Sequence, residues 1–353
     1  MSGTFDVSLV LLALATAGTD LASAQQPGSV LSEGRFENWR PFDKGFLDLV
    51  KWQFTRERRS WPSWIDAPPR TIPPGRNERG HLSWTFINHS TVLLRIDGLT
   101  VLTDPIWSER ASPISFAGPK RVRPPGVRFE DLPPIDLVLL SHDHYDHLDL
   151  PTLTSLRRTH APVVFTGLGV GARLGTFEAS KVRELDWWQC STVKGLEVCF
   201  VPARHFSGRG LTDRMKTLWG GFILRSAAGT VYFAGDTGFD RHFELIAHTF
   251  GPIRLAFLPI GAYEPRWFMA AAHIDPKEAV QAHLLLGAAR SVGIHFGTFQ
   301  LTDEGVEEPG LHLARARERA GVPAEAFIVP EFGETREVPT LHIDPASAMG
   351  SGE

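Results

Sequence analysis

The sequence predicts a layered α/β fold built from two β-sheets, and three observations carry this prediction. Short apolar segments rich in β-branched residues outnumber the helical segments, and the helices fall between the later strands. At 353 residues the chain can form one large domain or two small ones. Its 42% hydrophobic and 22% charged residues are ordinary for a globular protein and exclude wholesale disorder.

The first predicted element of the sheets is a hairpin. Thr91–Ile96 and Leu99–Thr103 are apolar runs joined across Asp97-Gly98, a dipeptide typical of tight hairpin turns. Residues 135–140 form a nearly all-apolar strand after two prolines. Further strands are predicted at 162–165, 197–201, 221–224, 230–233, 255–259, 291–294 and 327–329, and helices at 151–158, 276–286 and 310–320.

The N-terminus resembles a secretory signal peptide. The apolar run 7–18 is too short for a bilayer span of about 20 residues, and Ala22-Ser23-Ala24 follows as a small-residue cleavage pattern. We therefore expect residues 1–24 to be a leader and the protein to be exported, as a periplasmic or membrane-associated protein. Because Met1 to Asp6 carries no Lys or Arg, a frayed helix on a cytoplasmic protein stays open.

Residues 25–79, which precede the predicted main domain that we call the body, are basic and rich in tryptophan. This segment ends in a Pro-rich connector at 67–75, and residues 35–79 carry ten Lys/Arg against six Asp/Glu. Its tryptophans and cations could contact a membrane interface, or the tryptophans could fill the core of the body. The body is predicted at 80–335, followed by a tail at 336–353.

Charge and cysteine content exclude several classes of protein. A formal net charge of −4 argues against a dedicated nucleic-acid binder. The two cysteines, Cys190 and Cys199, are too few for a zinc ribbon or a disulfide framework. They could pair in an oxidising compartment, and the sequence does not decide whether they come close enough.

A His-rich turn follows the strand at 135–140 and predicts a metal site. His142 and His144 are two residues apart in extended chain, so both can point at one ion. Asp146 and His147 face the same cavity if a helix begins near 151. These ligands fit a pair of ions about 3.5–4 Å apart. Imidazole with carboxylate and no thiolate favours zinc, with iron or manganese also compatible. A chance surface cluster is the alternative, which this spacing disfavours.

Three further ligand candidates stand at the ends of later predicted strands. His205 and His295 each follow an apolar strand, and Asp236 sits in Gly235-Asp236-Thr237-Gly238, where glycine allows a sharp turn. Each alone could be an ordinary loop or turn residue. Their shared position after a strand makes them candidates for the same centre.

The pattern resembles the metal motif of the metallo-β-lactamase superfamily, and more closely the N-acyl-phosphatidylethanolamine-hydrolysing phospholipase D family. The likeness covers about residues 80–334. It is carried by residues 102–107, 111–113, 118–121, 132–136, 141–149, 184–188, 233–238, 259–269 and 295–299. Asn88-His89-Ser90-Thr91 stands where the family often has Gly-His-Ala-Thr.

The resemblance implies an αββα sandwich of the metallo-β-lactamase type, with two zinc ions at the sheet edges and residues 80–335 as the catalytic domain. His142, His144 and His205 would hold one ion. The other ion's ligands would be Asp146, His147 and His295, with Asp236 bridging the two ions. His273 matches a family histidine near the substrate phosphate. Asp104 matches an early structural aspartate, which could brace the His-rich turn or simply form a turn before Pro105.

The implied activity is a zinc-dependent hydrolysis of a phospholipid phosphodiester. Two bound ions lower the pKa of water from 15.7 to about 7, and the resulting hydroxide would attack phosphorus. Asp146 and Asp236 would orient the nucleophile or accept its proton, and His273 would contact the phosphate or the leaving oxygen. The expected substrate is of the N-acylphosphatidylethanolamine type, cleaved as by phospholipase D.

Two alternatives remain at this stage. One is a zinc hydrolase of another ester, such as a lactone or a cyclic phosphodiester, because one fold hosts many chemistries. The other is a non-catalytic envelope protein that binds metal or lipid. Peripheral membrane contact, the acyl preference and the oligomeric state are left open by the sequence, and no nucleic-acid partner is expected.

Overall fold

The computed structural model describes residues 27–42, 44–74, 78–175 and 177–340. The predicted leader at 1–24 lies outside the described residues, as do the last residue of the connector, Gly75, and the tail beyond residue 340.

Sixteen strands and six α-helices are assigned within these residues. The strands are β1 (Val30–Ser32), β2 (Arg35–Glu37), β3 (Leu82–Asn88), β4 (Thr91–Ile96), β5 (Leu99–Thr103), β6 (Leu137–Leu140), β7 (Val163–Gly167), β8 (Val182–Leu185), β9 (Cys190–Val193), β10 (Leu196–Val201), β11 (Gly221–Ser226), β12 (Gly229–Phe233), β13 (Ile253–Pro259), β14 (Ser291–Ile294), β15 (Phe327–Ile328) and β16 (Thr335–Glu337). The helices are α1 (Phe46–Thr55), α2 (Leu150–Thr159), α3 (His242–Phe250), α4 (Arg266–Met269), α5 (Pro276–Leu285) and α6 (Glu308–Ala320).

The body contains two seven-stranded sheets of similar design. The first has the order β16-β3-β4-β5-β6-β7-β8, and the second has the order β15-β14-β13-β12-β11-β10-β9. In each sheet an antiparallel group of strands is continued by parallel ones, β5 to β8 in the first and β12 to β15 in the second. Strands covered on both faces read as continuous apolar runs, which explains the sequence of β6.

An aromatic core joins the two sheets. Trp84 of the first sheet meets Phe257 of the second edge to face, with ring centroids 6.4 Å apart. Helix α2 packs on the outer face of the first sheet through Leu153 and Leu156. Helices α3, α5 and α6 cover the outer face of the second sheet. The layers are therefore α, β, β and α, and the predicted fold class is confirmed.

The predicted hairpin, the central strands and the helices α2, α5 and α6 are confirmed, with ends that shift by a few residues. The sequence analysis missed strand β3, which pairs with both β4 and β16, and helix α3. Cys190 and Cys199 face each other across β9 and β10 and form a disulfide.

The N-terminal segment packs against the body. The Trp39 ring lies 5.5 Å from that of Trp187, and buried Trp52 stacks on Phe268 at 5.1 Å. Trp61 donates a hydrogen bond to the carbonyl of Glu304. These three tryptophans therefore serve the packing of the domain. Among the helices of the described residues, none combines the length and the apolar character needed to cross a bilayer.

Candidate metal centre

Three imidazoles from both sheets meet at one edge of the molecule. His142 and His144 follow β6, and the Nε2 atom of the first lies 2.9 Å from the Nδ1 atom of the second. His205 comes from the second sheet, after β10, and its Nε2 is 3.2 Å from the same Nδ1 of His144. We call these three residues the first half-site.

A second group of ligand atoms lies beside the first. Asp146 Oδ2 is 3.4 Å from His147 Nε2 and 3.3 Å from Nε2 of His295, which directly follows β14. Ligand bonds of about 2.0–2.1 Å place neighbouring ligands of a tetrahedral zinc about 3.4 Å apart. These separations therefore suit one ion. We call Asp146, His147 and His295 the second half-site.

Asp236 lies between the two half-sites. Its Oδ2 atom is 3.1 Å from Nε2 of both His147 and His295. The same oxygen is 4.0 Å from His142 Nε2 and 3.9 Å from His205 Nε2. One buried carboxylate thus reaches ligands of both groups, as expected for a bridging residue.

Unpartnered polar atoms converge at this point. Nε2 of His147, Nε2 of His295 and Oδ1 of Asp236 are buried and have no hydrogen-bond partner among the described residues. Such atoms cost free energy when they are buried without a partner, and a cation would satisfy all three. Imidazole nitrogens with carboxylate oxygens are a donor set that divalent transition metals accept. The residues present therefore fit a metal centre.

Fully buried Asp104 braces the His-rich turn. Its carboxylate accepts hydrogen bonds from the backbone N–H of Ser141 at 2.8 Å and from His147 Nδ1 at 2.7 Å. The Ser141 hydroxyl also donates to Asp104, and it lies 2.9 Å from His142 Nδ1. Ligand histidines are commonly oriented through their second nitrogen in this way. Of the two roles considered for Asp104, these contacts favour the bracing one.

His89 is a further buried histidine of the centre, which the sequence analysis named only within the family-like segment 88–91 and not as a site residue. It lies in the turn between β3 and β4, and its Nε2 is 2.9 Å from Asp146 Oδ2. Its carbonyl accepts a hydrogen bond from the backbone N–H of His295 at 2.7 Å. Its position in a polar turn between two apolar strands was the available signal.

Three residues of the centre have a strained backbone conformation. The φ angles of His89, Asp104 and His295 are 47°, 33° and 60°, all in the left-handed region that non-glycine residues rarely adopt. Such conformations persist where the surrounding structure fixes them, and they often accompany functional sites.

Burial keeps the imidazoles of the first half-site neutral. It lowers the pKa of His142 well below its ordinary value, with neighbouring histidines adding to the effect. Burial also lowers the pKa of His144 to about 4 and that of His205 to about 3, although nearby carboxylates partly oppose it. These imidazoles are therefore uncharged at neutral pH, and each has one unprotonated nitrogen that can bind a cation.

In the second half-site, by contrast, the pKa values of the histidines are raised. Burial alone would lower the pKa of His295, but Asp236 and Asp146 raise it to about 9. The pKa of His147 lies well above its ordinary value because Asp236, Asp146 and Asp104 outweigh its burial. Burial would likewise raise the pKa of Asp146 and Asp236, but His147 holds both well below the usual range.

His273 completes the set at the rim of the centre. It follows α4, and its Nδ1 lies 3.9 Å from Asp236 Oδ2 without a hydrogen-bond partner among the described residues. Its carbonyl accepts a hydrogen bond from Arg266. The structure thus places all the sequence-predicted site residues in one centre: His142, His144, Asp146, His147, His205, Asp236, His273 and His295.

Comparison with known proteins identifies the class. A family model described as Beta-lactamase superfamily domain matches residues 100–296. A solved structure of an isothiocyanate hydrolase from Delia radicum gut bacteria matches with a TM-score of 0.58 at 22% identity, covering 72% of this chain and 98% of that one. This likeness shows the fold alone. With the ligand set, these findings define a metal-dependent hydrolase of the metallo-β-lactamase fold.

Two proteins of related sequence identify the family within this superfamily. N-acyl-phosphatidylethanolamine-hydrolyzing phospholipase D 1 of Caenorhabditis elegans is 35% identical, over 92% of this chain and 99% of the relative. An uncharacterized protein of Mycobacterium tuberculosis is 40% identical, over 95% of this chain and 90% of the relative. The chain belongs to the β-lactamase superfamily, in the family that contains these two proteins.

Proposed function

We propose that this protein is a binuclear zinc phosphodiesterase that hydrolyses a phospholipid of the N-acylphosphatidylethanolamine type by phospholipase D cleavage. The observation that carries the proposal is the shared Asp236 carboxylate between two complete half-sites. The substrate class rests on the named C. elegans relative, which aligns over nearly its whole length.

In the proposed reaction, water replaces the alcohol at phosphorus. A bond forms between the water oxygen and phosphorus, and the bond between phosphorus and the ethanolamine oxygen breaks. The water supplies the proton that the leaving alkoxide takes up, so the products are a phosphatidate and an N-acylethanolamine. When bound, two zinc ions would supply acidified water and neutralise charge on the phosphate oxygens.

The chain's own residues would orient the reactants. Asp146 and Asp236 are ionised at neutral pH and can hold an attacking water by accepting its hydrogen bonds. Burial keeps the pKa of His273 well below its ordinary value, so this imidazole is neutral beside the centre. We assign it to contact with the phosphate or the leaving oxygen. No side chain is needed as nucleophile, so no covalent intermediate is expected.

A substrate panel tests the proposal against its alternatives. Purified, zinc-loaded protein is offered N-acylphosphatidylethanolamine, a simple phosphodiester and a lactone, with and without a chelator. Turnover of the phospholipid that stops with chelator and returns with zinc supports the proposal. Preference for the lactone or for the simple phosphodiester would replace it with another ester hydrolase, and no turnover of any ester would favour a non-catalytic metal- or lipid-binding protein.

We also propose peripheral contact with a phospholipid surface. Leu47 and Phe54, on one face of α1, expose 80% and 87% of their surface, and Lys51 lies on the same helix. Helix α1 is anchored beside the centre because Trp52 packs on Phe268 of α4. Leu47→Glu with Phe54→Glu should abolish sedimentation with phosphatidylglycerol vesicles, whereas Leu284→Glu on α5 serves as the matched control. Unchanged sedimentation of the double variant would contradict this contact.

Export is proposed as well. The Cys190–Cys199 disulfide supports it, because such bonds persist mainly in oxidising compartments. Fractionation of cells that express the full chain, followed by N-terminal sequencing, tests the proposal. Protein in the cytoplasm with residues 1–24 intact would contradict it.

A further inference from the structure

The N-terminal segment reaches the metal centre through one side chain. Asn38 Nδ2 donates a hydrogen bond to the carbonyl of His205 at 2.7 Å, and Asn38 Oδ1 accepts one from the backbone N–H of His205 at 3.2 Å. The amide of one residue thus pairs with both polar groups of the other, much as a neighbouring strand would. The paired backbone belongs to a residue of the first half-site.

Contacts on both sides hold Asn38 in place. Phe36 is buried in the core and donates its backbone N–H to the carbonyl of Met215 at 2.7 Å. The Phe42 ring lies 5.2 Å from that of Phe206, and the Phe206 ring lies 4.7 Å from that of His144. We call residues 36–42 the N-terminal strap. The strap thus contacts the loop of His205 at three points, His205, Phe206 and Met215.

His205 needs such support because of where it lies. Strand β10 ends at Val201 and β11 begins at Gly221, so this ligand stands on a long connection and not on a strand. The ring itself is oriented by the carbonyl of Ala272, 3.0 Å from His205 Nδ1. A metal ligand must be held within about 0.5 Å of its productive position, and loops meet this demand less well than strands.

We propose that Asn38 is a positioning residue of the first half-site. It fixes the His205 backbone so that Nε2 faces His144 and Asp236. This inference rests on the proposed two-ion centre and adds to it a residue from outside the segment that the family model matches. Within the strap, Asn38 is therefore the residue that supports the catalytic unit.

Zinc affinity is the test, measured on the full chain by competition with a chromophoric chelator. Asn38→Ala should weaken one of two zinc sites by about 10–100-fold, the usual range for residues that orient a ligand, and leave the other site unchanged. His205→Ala identifies the affected site. In the double variant the two effects should not add, because both act through the same ligand.

Glu37→Ala is the matched control, since Glu37 is the exposed neighbour on β2, and both of its zinc affinities should equal those of the wild type. Thermal unfolding of the metal-free variants separates positioning from folding. Wild-type affinities in Asn38→Ala, or equal weakening of both sites together with a lower melting temperature, would overturn the proposal.

The two proposals can fail separately. A wild-type chain that binds a single ion contradicts the two-ion centre. The Asn38 assignment is then supported if Asn38→Ala weakens that ion and adds nothing to His205→Ala, and it is overturned if the effects add or if the ion is unaffected.

Discussion

The two half-sites use similar ligands but differ in charge. Three imidazoles form the first, and burial keeps them neutral. The second contains Asp146 and lies closest to Asp236, and these carboxylates hold protons on His147 and His295. In the metal-free protein, protonated imidazoles thus supply the positive charge that a metal ion would bring. The first half-site can bind a cation directly, whereas the second must release protons to do so.

The half-sites also differ in how they are held. Buried side chains brace the second: Asp104 binds His147, and His89 contacts Asp146. The first depends more on its loop, with His205 fixed by the Ala272 carbonyl and by Asn38. The comparison teaches that a nearly symmetric pair of sheets has produced an asymmetric pair of ligand groups.

Asp236→Asn removes the group that both half-sites share, so it should have the largest effect. We expect a loss of about 10²–10⁴-fold in the rate of phosphodiester hydrolysis, as for other groups that position or transfer a proton. Both ions should also be held more weakly, as measured by metal analysis after dialysis against chelator. Full activity with both metals bound would refute the bridging role.

Asp104→Asn should separate the half-sites. The amide accepts less well from His147 Nδ1, so zinc affinity of the second half-site should fall by about 10–100-fold. The first half-site should lose less, because Asp104 reaches His142 only through Ser141. Chelator competition measures both affinities. Equal losses at the two half-sites would show that the bracing is shared.

The pH dependence of metal uptake should differ between the half-sites. Because the pKa of His295 is raised from 6.5 to about 9 and that of His147 is raised as well, affinity of the second half-site should increase with pH at least up to about 9, by about tenfold per unit for each proton displaced. The first half-site should be insensitive above about pH 4, where His144 is already neutral. Titration with Co²⁺ at several pH values measures both; parallel pH profiles would contradict the charge difference.

Stability of the metal-free protein gives an independent check. A raised pKa stabilises the folded state below the unfolded value of 6.5, and this contribution of His295 is lost as pH rises to about 9. The lowered pKa values of His144 and His205 act in the opposite direction. Their contribution to the free energy of unfolding is present above pH 6.5 and is lost as the pH falls towards 4 and 3. Denaturant unfolding at several pH values should show both losses of stability, one above pH 6.5 and one below it.

His89→Ala should produce the smallest effect. It removes one hydrogen bond to the ionised Asp146, whose oxygen keeps its contacts with His147 and His295. A bond to a charged group is worth about 1.5–3 kcal/mol, and with those contacts retained we expect the lower end, about tenfold in zinc affinity of the second half-site. His89→Gln can restore a donor and should recover part of that loss. A loss of one whole ion in His89→Ala would instead mark His89 as a ligand.

The sequence analysis identified the candidate ligands that lie close together in the sequence or directly after a strand. His142, His144, Asp146 and His147 stand within one turn after an apolar strand, and strand ends located Asp236 and His295. The strands themselves were predictable because burial on both faces makes them continuously apolar.

It failed where the contact is long-range. Asn38 has no distinctive neighbours in the sequence, and its partner His205 becomes adjacent only through the packing of Trp39 and Phe42 on the body. Helix α3 was missed as well, although its buried Phe243, Ile246 and Phe250 have the i, i+3, i+7 spacing of an amphipathic helix.

The position of the strap has a practical consequence for truncated forms of this protein. A truncated version that starts at residue 80 would keep every proposed ligand and the whole segment that the family model matches, residues 100–296. It would nevertheless expose the aromatic faces of Trp187 and Phe206 and release the backbone of His205. Cutting at the apparent domain border would therefore yield a protein with a damaged centre, and weak activity in such a fragment would say little about the natural enzyme.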